Sequence, residues 1–236
     1  MSAILKTAAP WVVRAVLFDL DGTLADTAPD LAGAVNCMRL RRGLPVLPVE
    51  QLRPVASAGA RGMLAVGLGV SAADPQYERL REEFLSEYEA ALDAESRLFD
   101  GAPELLDALA AAGVPWGVVT NKAMRFTRPV LDALGVASRA AVVIAGDTTP
   151  HAKPHPEPLF EACRQLNLEP QQAVYVGDDL RDVQAARAAG MPVVAAAYGY
   201  LGETPDLASW GADAVIDTLP QLLDLLRLDP GAANPS

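Results

Sequence analysis

The sequence has few cysteines and a shortage of basic residues, and each shortage excludes a class of protein. Only two of the 236 residues are cysteines, and neither Cys37 nor Cys163 lies in a metal-ligand cluster, so no disulfide framework or zinc site is expected. Both lie among apolar residues, which predicts buried thiols. Lysine and arginine number 19 against 30 acidic residues, giving a net charge of −11. So acidic a surface repels nucleic acid and anionic lipid, and neither is an expected partner.

Long apolar runs are also missing. No stretch reaches the roughly 18–20 apolar residues that a membrane span requires. The apolar residues near the N-terminus run directly into acidic ones, which is not typical of a signal peptide. The expectation is a soluble, cytoplasmic protein with no membrane partner. Its 236 residues, 51% hydrophobic and 21% charged, are enough for one α/β domain or for a core with a smaller second domain. Nothing in the sequence indicates the oligomeric state.

Helices and strands alternate regularly in the second half of the chain. Apolar strands are predicted at 116–119, 141–145, 173–176, 192–196 and 214–216, with helical patterns between them. This alternation predicts a doubly wound, mostly parallel sheet covered by helices on both faces.

One further strand, at residues 12–18, is separated from the others by helical patterns alone. The sequence therefore predicts an α/β core whose first strand is followed by an all-helical insertion. The predicted boundaries are 1–27 and 98–228 for the core and 28–97 for the insertion, with a disordered tail at 229–236.

Polar side chains follow the predicted strands at their carboxyl ends, where a doubly wound sheet binds its ligands. They are Asp19, Asp21, Thr120, Lys153, Asp178 and Asp179. Carboxylates brought this close repel one another unless a cation joins them. An all-oxygen site with few protein ligands suits Mg²⁺, which takes its remaining ligands from water and substrate phosphate. A threonine hydroxyl and a lysine ammonium suit phosphoryl oxygens.

Four motifs that contain these residues resemble, in order, those of the haloacid dehalogenase superfamily. They are DLDGT at 19–23, VVTNK at 118–122, KPHP at 153–156 and GDDLRD at 177–182. The resemblance covers about residues 12–225. It implies a Rossmann-like core with a helical cap inserted after the first motif, in agreement with the insertion predicted above.

The resemblance also implies catalytic roles. Asp19 is the expected nucleophile, forming an aspartyl-phosphate, and Asp21 the expected acid and base, protonating the leaving oxygen and then deprotonating the hydrolytic water. The expected Mg²⁺ ligands are Asp19, the backbone carbonyl of Asp21, and Asp178.

Further residues are expected to bind phosphate or to orient the groups that do. Thr120 and Lys153 are the expected phosphoryl ligands, helped by backbone N–H groups near Leu20 and Asn121. Asp182 is expected to orient Lys153 or the metal without contacting the substrate, either directly or through a water molecule.

Four other residues allow two interpretations each. Asp179, where many relatives have serine, either supports the metal or lies on an acidic surface. Lys122 and Arg125 either gather anionic substrate or begin a solvated helix. Arg61, on a glycine-flanked loop of the cap, either reaches a substrate carboxylate or lies on the surface.

The expected function is a Mg²⁺-dependent phosphomonoesterase acting on a small phosphorylated metabolite. True dehalogenases lack the second acid of the first motif, and Asp21 is present. Sugar phosphomutases often have valine where Thr23 stands, which favours a phosphatase without excluding a mutase. A non-catalytic metabolite-binding module would have lost a motif residue, and none is lost.

Two substrate classes remain open. The motifs resemble bacterial phosphoglycolate phosphatases, which is the preferred interpretation. Other segments, including GARGM at 59–63 and YGY at 198–200, are closer to the N-acetylmuramic acid 6-phosphate phosphatases. Motif chemistry does not separate the two.

Overall fold

The computed structural model describes residues 11–92, 94–202 and 206–227. Its strands are β1 (Trp11–Val12), β2 (Ala15–Phe18), β3 (Ala25–Asp26), β4 (Arg97–Leu98), β5 (Trp116–Val119), β6 (Val142–Ile144), β7 (Ala173–Gly177), β8 (Val193–Ala196), β9 (Ala214–Ile216) and β10 (Leu226–Arg227). Its helices are α1 (Ala28–Arg41), α2 (Val49–Leu52), α3 (Gly59–Leu68), α4 (Tyr77–Ala90), α5 (Ala102–Ala111), α6 (Met124–Ala133), α7 (Glu157–Leu166), α8 (Leu180–Ala189), α9 (Leu207–Trp210) and α10 (Leu222–Leu225). The predicted tail, 229–236, lies outside the described residues.

The main sheet has six strands in the order β6-β5-β2-β7-β8-β9, and every neighbouring pair is parallel. All four residues of β2 are buried, and they alternate between two hydrophobic clusters. Val16 and Phe18 pack in one cluster, and Ala15 and Leu17 pack in the other. Successive side chains of a strand point to opposite faces, so the sheet is covered on both sides. The prediction of a doubly wound parallel sheet is confirmed.

The strand order reverses at β2, in the middle of the sheet. From β2 the chain reaches β5 and β6 on one side, and then β7, β8 and β9 on the other. The crevice at such a reversal, outside the carboxyl ends of the strands, is where α/β sheets bind ligands. The residues that follow β2, β5 and β7 are therefore the ones brought together.

Helices α1 to α4 lie between β3 and β4, and the described residues from 28 to 92 include no strand. We call residues 28–97 the cap and the remainder of the chain the core; these exact boundaries stay a prediction. Leu80, Phe84 and Tyr88 are buried on one side of α4 at four-residue spacing, as expected for an amphipathic helix. The antiparallel pair β3–β4, with Ala25 opposite Leu98, brings the two ends of the cap together.

The strand predicted at 12–18 is divided in two. Its second half is β2, while β1 leaves the main sheet and pairs with β10, Trp11 lying opposite Leu226. The residues between β1 and β2 include the exposed Arg14. A charged side chain cannot continue a strand that is buried on both faces, which explains the break.

The predictions from composition are partly confirmed. Cys163 is buried, as expected, but Cys37 is exposed, so the prediction of two buried thiols is wrong for Cys37. It lies on the solvent side of α1, whose neighbouring residues Val35 and Met38 face the core. None of the described helices is long and apolar enough to cross a bilayer. The cytoplasmic location and the lack of nucleic-acid partners stay predictions.

Candidate active site

Three carboxylates meet where the central strands end. Asp19 follows β2 directly, and Asp178 follows β7 directly. These two strands are parallel neighbours, with Phe18 opposite Val176, so the two aspartates emerge side by side. Asp182, in the first turn of α8, completes the group. One carboxylate oxygen from each of the three aspartates lies within 4.8 Å of the other two. The predicted convergence of Asp19 and Asp178 is therefore present.

Asp178 is completely buried and held from two sides. The Thr23 hydroxyl donates to Oδ1 at 2.8 Å, and the backbone N–H of Tyr200 donates to Oδ2 at 2.8 Å. Burial raises the pKa of Asp178 well above its usual range, and the carboxylates of Asp19 and Asp182 raise it further. A cation beside these oxygens would remove that penalty.

Lys153 supplies the positive charge inside the group. Its Nζ lies 3.0 Å from Asp19 Oδ1 and donates to Asp182 Oδ1 at 2.7 Å and to Tyr175 Oη at 2.7 Å. Burial opposes the charge on Lys153, but Asp182 and Asp19 outweigh it, and the pKa of the ammonium is raised. Asp182 thus contacts Lys153, and its role in orienting Lys153 or the metal stays a prediction.

Asp19 remains difficult to ionise even beside this ammonium. Burial raises the pKa of Asp19 to about 6, and Lys153 lowers it only in part. Three carboxylates share one ammonium, so the group carries an excess of negative charge. Together with its all-oxygen donors, this excess fits a hard divalent cation such as Mg²⁺. The residues present therefore suit the metal that the sequence implies.

Thr120 and Asn121 follow β5 at the same edge of the sheet. Thr120 is buried and lines the cleft above Asp19. The Asn121 side chain is instead occupied by the backbone of Lys153: it donates to the carbonyl at 2.9 Å and accepts from the N–H at 2.9 Å. The side chain ties the Lys153 loop to β5, so a phosphate contact by Asn121 would come from its backbone N–H.

Asp21 lies two residues beyond Asp19 and has two polar partners, Lys122 and Thr27. Lys122 Nζ donates to Oδ1 at 2.8 Å and to Oδ2 at 3.0 Å, and the Thr27 hydroxyl also donates to Oδ1. The Lys122 side chain is only 7% exposed, so the expectation of a solvated helix start is wrong for this residue. Arg125 is exposed, in agreement with that expectation.

Asp179 begins helix α8. Its side chain accepts from the backbone N–H of Arg181, and Asp182 accepts in return from the N–H of Asp179, which is a capping box. Asp179 also pairs with the Arg181 guanidinium at 2.8 Å. Burial would raise the pKa of Asp179, but Arg181 holds it below its usual range. The interpretation of Asp179 as part of an acidic surface is therefore wrong. Its carboxylate caps helix α8 and forms an ion pair with Arg181.

A cleft of about 340 Å³ lies between these residues and the cap. Its cap side is lined by the aromatic rings of Tyr77, Phe84 and Tyr88 and by the guanidinium groups of Arg61 and Arg81. Arg61 lies in the first turn of α3, so the expected glycine-flanked loop is in fact helical. Residues of the cap therefore face the carboxylate group across this cleft.

Several residues that shape this site were not predicted. Tyr175 lies under Lys153, and its hydroxyl donates to the Val119 carbonyl at 2.7 Å. The Tyr200 hydroxyl accepts from the backbone N–H groups of Thr27, where the core ends, and of Ala28, where the cap begins. A tyrosine in a buried strand looks like ordinary core in a sequence, so no local signal identified Tyr175. The YGY segment at 198–200 resembles that of related phosphatases, but the sequence alone does not show that Tyr200 contacts the start of the cap.

Comparison with known proteins agrees with this geometry. Residues 16–196 match the family model described as haloacid dehalogenase-like hydrolase. The chain is 45% identical to an N-acetylmuramic acid 6-phosphate phosphatase of Pseudomonas aeruginosa, over 91% of this chain and 95% of that protein. It is 50% identical to a phosphoglycolate phosphatase of Xanthomonas campestris pv. campestris, over 89% and 94%.

Solved structures give the same result. The crystal structure of a predicted phosphoglycolate phosphatase from Haemophilus somnus 129PT superposes with a TM-score of 0.76 at 29% identity, covering 90% of this chain and 97% of that one. A family model spanning most of the chain, relatives of matching length and a shared fold all lead to the same assignment. The chain belongs to the haloacid dehalogenase-like hydrolase family.

Proposed function

We propose that the protein is a Mg²⁺-dependent phosphomonoesterase that hydrolyses a small phosphorylated metabolite through an aspartyl-phosphate on Asp19. The observation that carries the proposal is the pairing of Asp19 with Lys153, whose Nζ lies 3.0 Å from the carboxylate at the floor of the cleft. A nucleophile and a phosphoryl-binding cation thus lie side by side, where a phosphate entering the cleft meets both.

The first chemical step is attack by a carboxylate oxygen of Asp19 on phosphorus, with cleavage of the bond to the ester oxygen. The transferring group carries negative charge on its equatorial oxygens, and positioning and charge neutralisation supply most of the catalysis. Lys153, fixed by Asp182 and Tyr175, provides this charge without reorganising. The Thr120 hydroxyl, buried at the same floor, donates to a phosphoryl oxygen.

Asp21 moves the protons of both steps. As the ester bond breaks, the carboxyl group of Asp21 gives its proton to the leaving oxygen. In the second step it accepts a proton from the water that attacks the phosphorus of the aspartyl-phosphate, which releases inorganic phosphate and restores Asp19. The partners of Asp21 lie in the core, and the leaving group departs towards the cap.

Asp19, the backbone carbonyl of Asp21, and Asp178 are the groups that would hold Mg²⁺. When bound, the ion supplies positive charge that draws the substrate phosphate and the Asp19 carboxylate together. Thr23 and the Tyr200 N–H orient Asp178 for this purpose.

Replacement of Asp19 by asparagine tests the proposal. The amide is a poor nucleophile and an uncharged metal ligand, so we expect phosphate release from an aryl phosphate in Mg²⁺ to fall by orders of magnitude, with the circular dichroism spectrum unchanged. Asp132→Asn, at an exposed helix position paired with Arg128, is the matched control and should retain wild-type turnover. An Asp19→Asn variant with more than about a tenth of wild-type turnover would exclude Asp19 as nucleophile.

Two substrates are candidates, both phosphate esters that also carry a carboxylate. Phosphoglycolate is the substrate named for several relatives and is our first proposal. The size of the cleft, about 340 Å³, and the aromatic rings on its cap side favour a bulkier leaving group, which makes N-acetylmuramic acid 6-phosphate the second. The measurement that separates them is kcat/KM for each substrate, with glucose 6-phosphate as a sugar phosphate lacking the carboxylate.

A further inference from the structure

Lys122 lies buried between the core and the cap, and the proposed mechanism gives it no role. Its ammonium contacts both carboxylate oxygens of Asp21, at 2.8 and 3.0 Å. This ion pair places a buried ammonium group directly against the proposed acid.

The other side of the ammonium is covered by the cap. The ring of Tyr88, on helix α4, lies with its centroid 4.8 Å from Lys122 Nζ, within the range of a cation–π interaction. Tyr88 is 2% exposed and packs against Phe126 of the core, with ring centroids 5.5 Å apart. The Tyr88 ring therefore lies against the Lys122 ammonium and against the core at the same time.

We propose that Lys122 is a positioning residue that holds the Asp21 carboxyl group in place for proton transfer when Tyr88 of the cap covers it. This inference rests on the proposed function of Asp21. Proton transfer requires the carboxyl group to lie within hydrogen-bond reach of the leaving oxygen. Thr27 fixes one oxygen of Asp21, but a single hydroxyl leaves the group free to swing, and Lys122 contacts both oxygens.

The cap contact makes this positioning conditional. With Tyr88 packed on Lys122, the ammonium is confined between a ring and a carboxylate. If the cap moves away, the ring leaves, water reaches the ammonium, and the restraint on Asp21 weakens. Cap closure over a substrate thus brings the acid into place at the moment it is needed.

A series of leaving groups provides the experiment. An alkyl phosphate needs a proton on its leaving oxygen, whereas 2,4-dinitrophenyl phosphate departs without one, so loss of a positioned acid slows the first far more than the second. We expect Asp21→Asn to show this selective loss in kcat/KM. Lys122→Met should show the same pattern, with about tenfold or more additional loss on the alkyl phosphate, and Lys122→Arg should recover part of it.

The outcomes separate the inference from the function it rests on. If Asp21→Asn slows both substrates equally, the acid role of Asp21 fails. If Asp21→Asn is selective but Lys122→Met slows both substrates equally, only the role of Lys122 is overturned. Binding of inorganic vanadate and the thermal unfolding midpoint show whether each variant keeps its fold.

Tyr88 provides a second test that does not alter the buried charge. Tyr88→Phe keeps the ring and should retain the wild-type leaving-group pattern. Tyr88→Leu removes the ring and should show part of the selective loss seen in Lys122→Met. A Tyr88→Leu enzyme with an unchanged pattern would overturn the link between the cap and the acid, even if Lys122→Met fails to fold.

Discussion

Asp178 occupies a space that only glycine neighbours leave open. A β-carbon on Gly22 would lie 2.2 Å from Asp178 Oδ2, and one on Gly199 would lie 2.2 Å from the β-carbon of Asp178. Any side chain at either position would displace this carboxylate. The backbone turns at Gly22 and Gly199, which are distant in the sequence, thus both pack against the candidate metal ligand Asp178.

Replacing Gly22 with alanine tests this tight fit at the scale of a single methyl group. Gly22 has a φ of +84° and Gly135 a φ of +71°, but a β-carbon on Gly135 meets nothing within 4 Å. Gly135→Ala should cost only the strain of positive φ, about 1–2 kcal/mol of unfolding free energy. Gly22→Ala should cost more and should also weaken Mg²⁺ binding. Urea unfolding and calorimetric Mg²⁺ titration measure both, and equal losses in the two variants would contradict the expectation.

The buried charge of Asp19 predicts a pH-dependent stability in the metal-free protein. Burial raises its pKa from 3.8 to about 6. Between these values the unfolded chain loses its proton while the folded protein keeps it, so the unfolding free energy falls as pH rises. Above pH 6 the cost reaches the order of 3 kcal/mol.

Asp19→Asn removes this cost, so the metal-free variant should unfold at a higher temperature than wild type at pH 7.5 and at the same temperature at pH 4. Thermal unfolding in EDTA measures the difference. Added Mg²⁺ should reduce it, because the ionised carboxylate then gains a cation. A difference independent of pH would show that Asp19 is not the group responsible.

At the residue scale, the sequence predicted the site residues that lie in recognisable motifs. It missed the residues that join the site only through tertiary contacts. Asp19, Asp178 and Lys153 follow predicted strands in recognisable motifs, and the structure brings them together. Lys122 lies within a motif, but its partner Asp21 is 101 positions away, and no local pattern encodes that pairing. Its burial depends equally on Tyr88, which arrives from a different part of the fold.

At the scale of elements, α8 shows how one helix start positions the site. Asp179 caps the helix while Asp182 closes the capping box, and Asp182 also holds Lys153. The first turn of α8 and Tyr175 therefore fix the position of Lys153 beside Asp19 together.

Two substitutions of Asp179 isolate its capping contribution. Both Asp179→Ser and Asp179→Ala lose the ion pair with Arg181, but serine still accepts from the Arg181 backbone N–H. We expect the alanine variant to be less stable than the serine variant by about 1 kcal/mol. Chemical denaturation measures this difference. Equal stability would show that the pairing with Arg181, and not the cap, is what the residue contributes.

Element boundaries were predicted well where local signals coincide. Strands β5 and β9 have the predicted bounds, because apolar runs mark both of their ends. The two-residue strands β3 and β4 were missed. Two residues are too short to show alternation, and such strands exist only through their partner. The same explanation applies to β1 and β10.

At the scale of the whole molecule, Arg53 and Ser57 of the cap make polar contacts that hold it against the core. Arg53 of the cap forms a 2.6 Å ion pair with Asp26 and lies over the ring of Tyr200. The carbonyl of Ser57 accepts from Arg181, and its hydroxyl lies 3.4 Å from Asp178. The cap is therefore joined to the same loops that build the carboxylate group.

Arg53→Ala should loosen the cap. Arg97→Ala is the matched control, since Arg97 also faces Asp26 but at 3.8 Å and with its side chain 74% exposed. Exposed ion pairs contribute little, whereas Arg53 also covers an aromatic ring. We expect faster hydrogen exchange in α2 and α3 for Arg53→Ala only. Equal exchange in both variants would show that this ion pair does not hold the cap.

The short ribbon formed by β3 and β4 has a consequence for how such proteins diversify. Because Asp26 pairs with Arg97, the chain leaves and re-enters the core at adjacent points about 5 Å apart. A segment inserted at this point does not change the course of the core chain. The core strands could be joined there by a longer segment or by a tight turn. Recombination at this ribbon would exchange one lid for another without changing the strand order of the core, and each new lid would have to supply its own contact to Lys122.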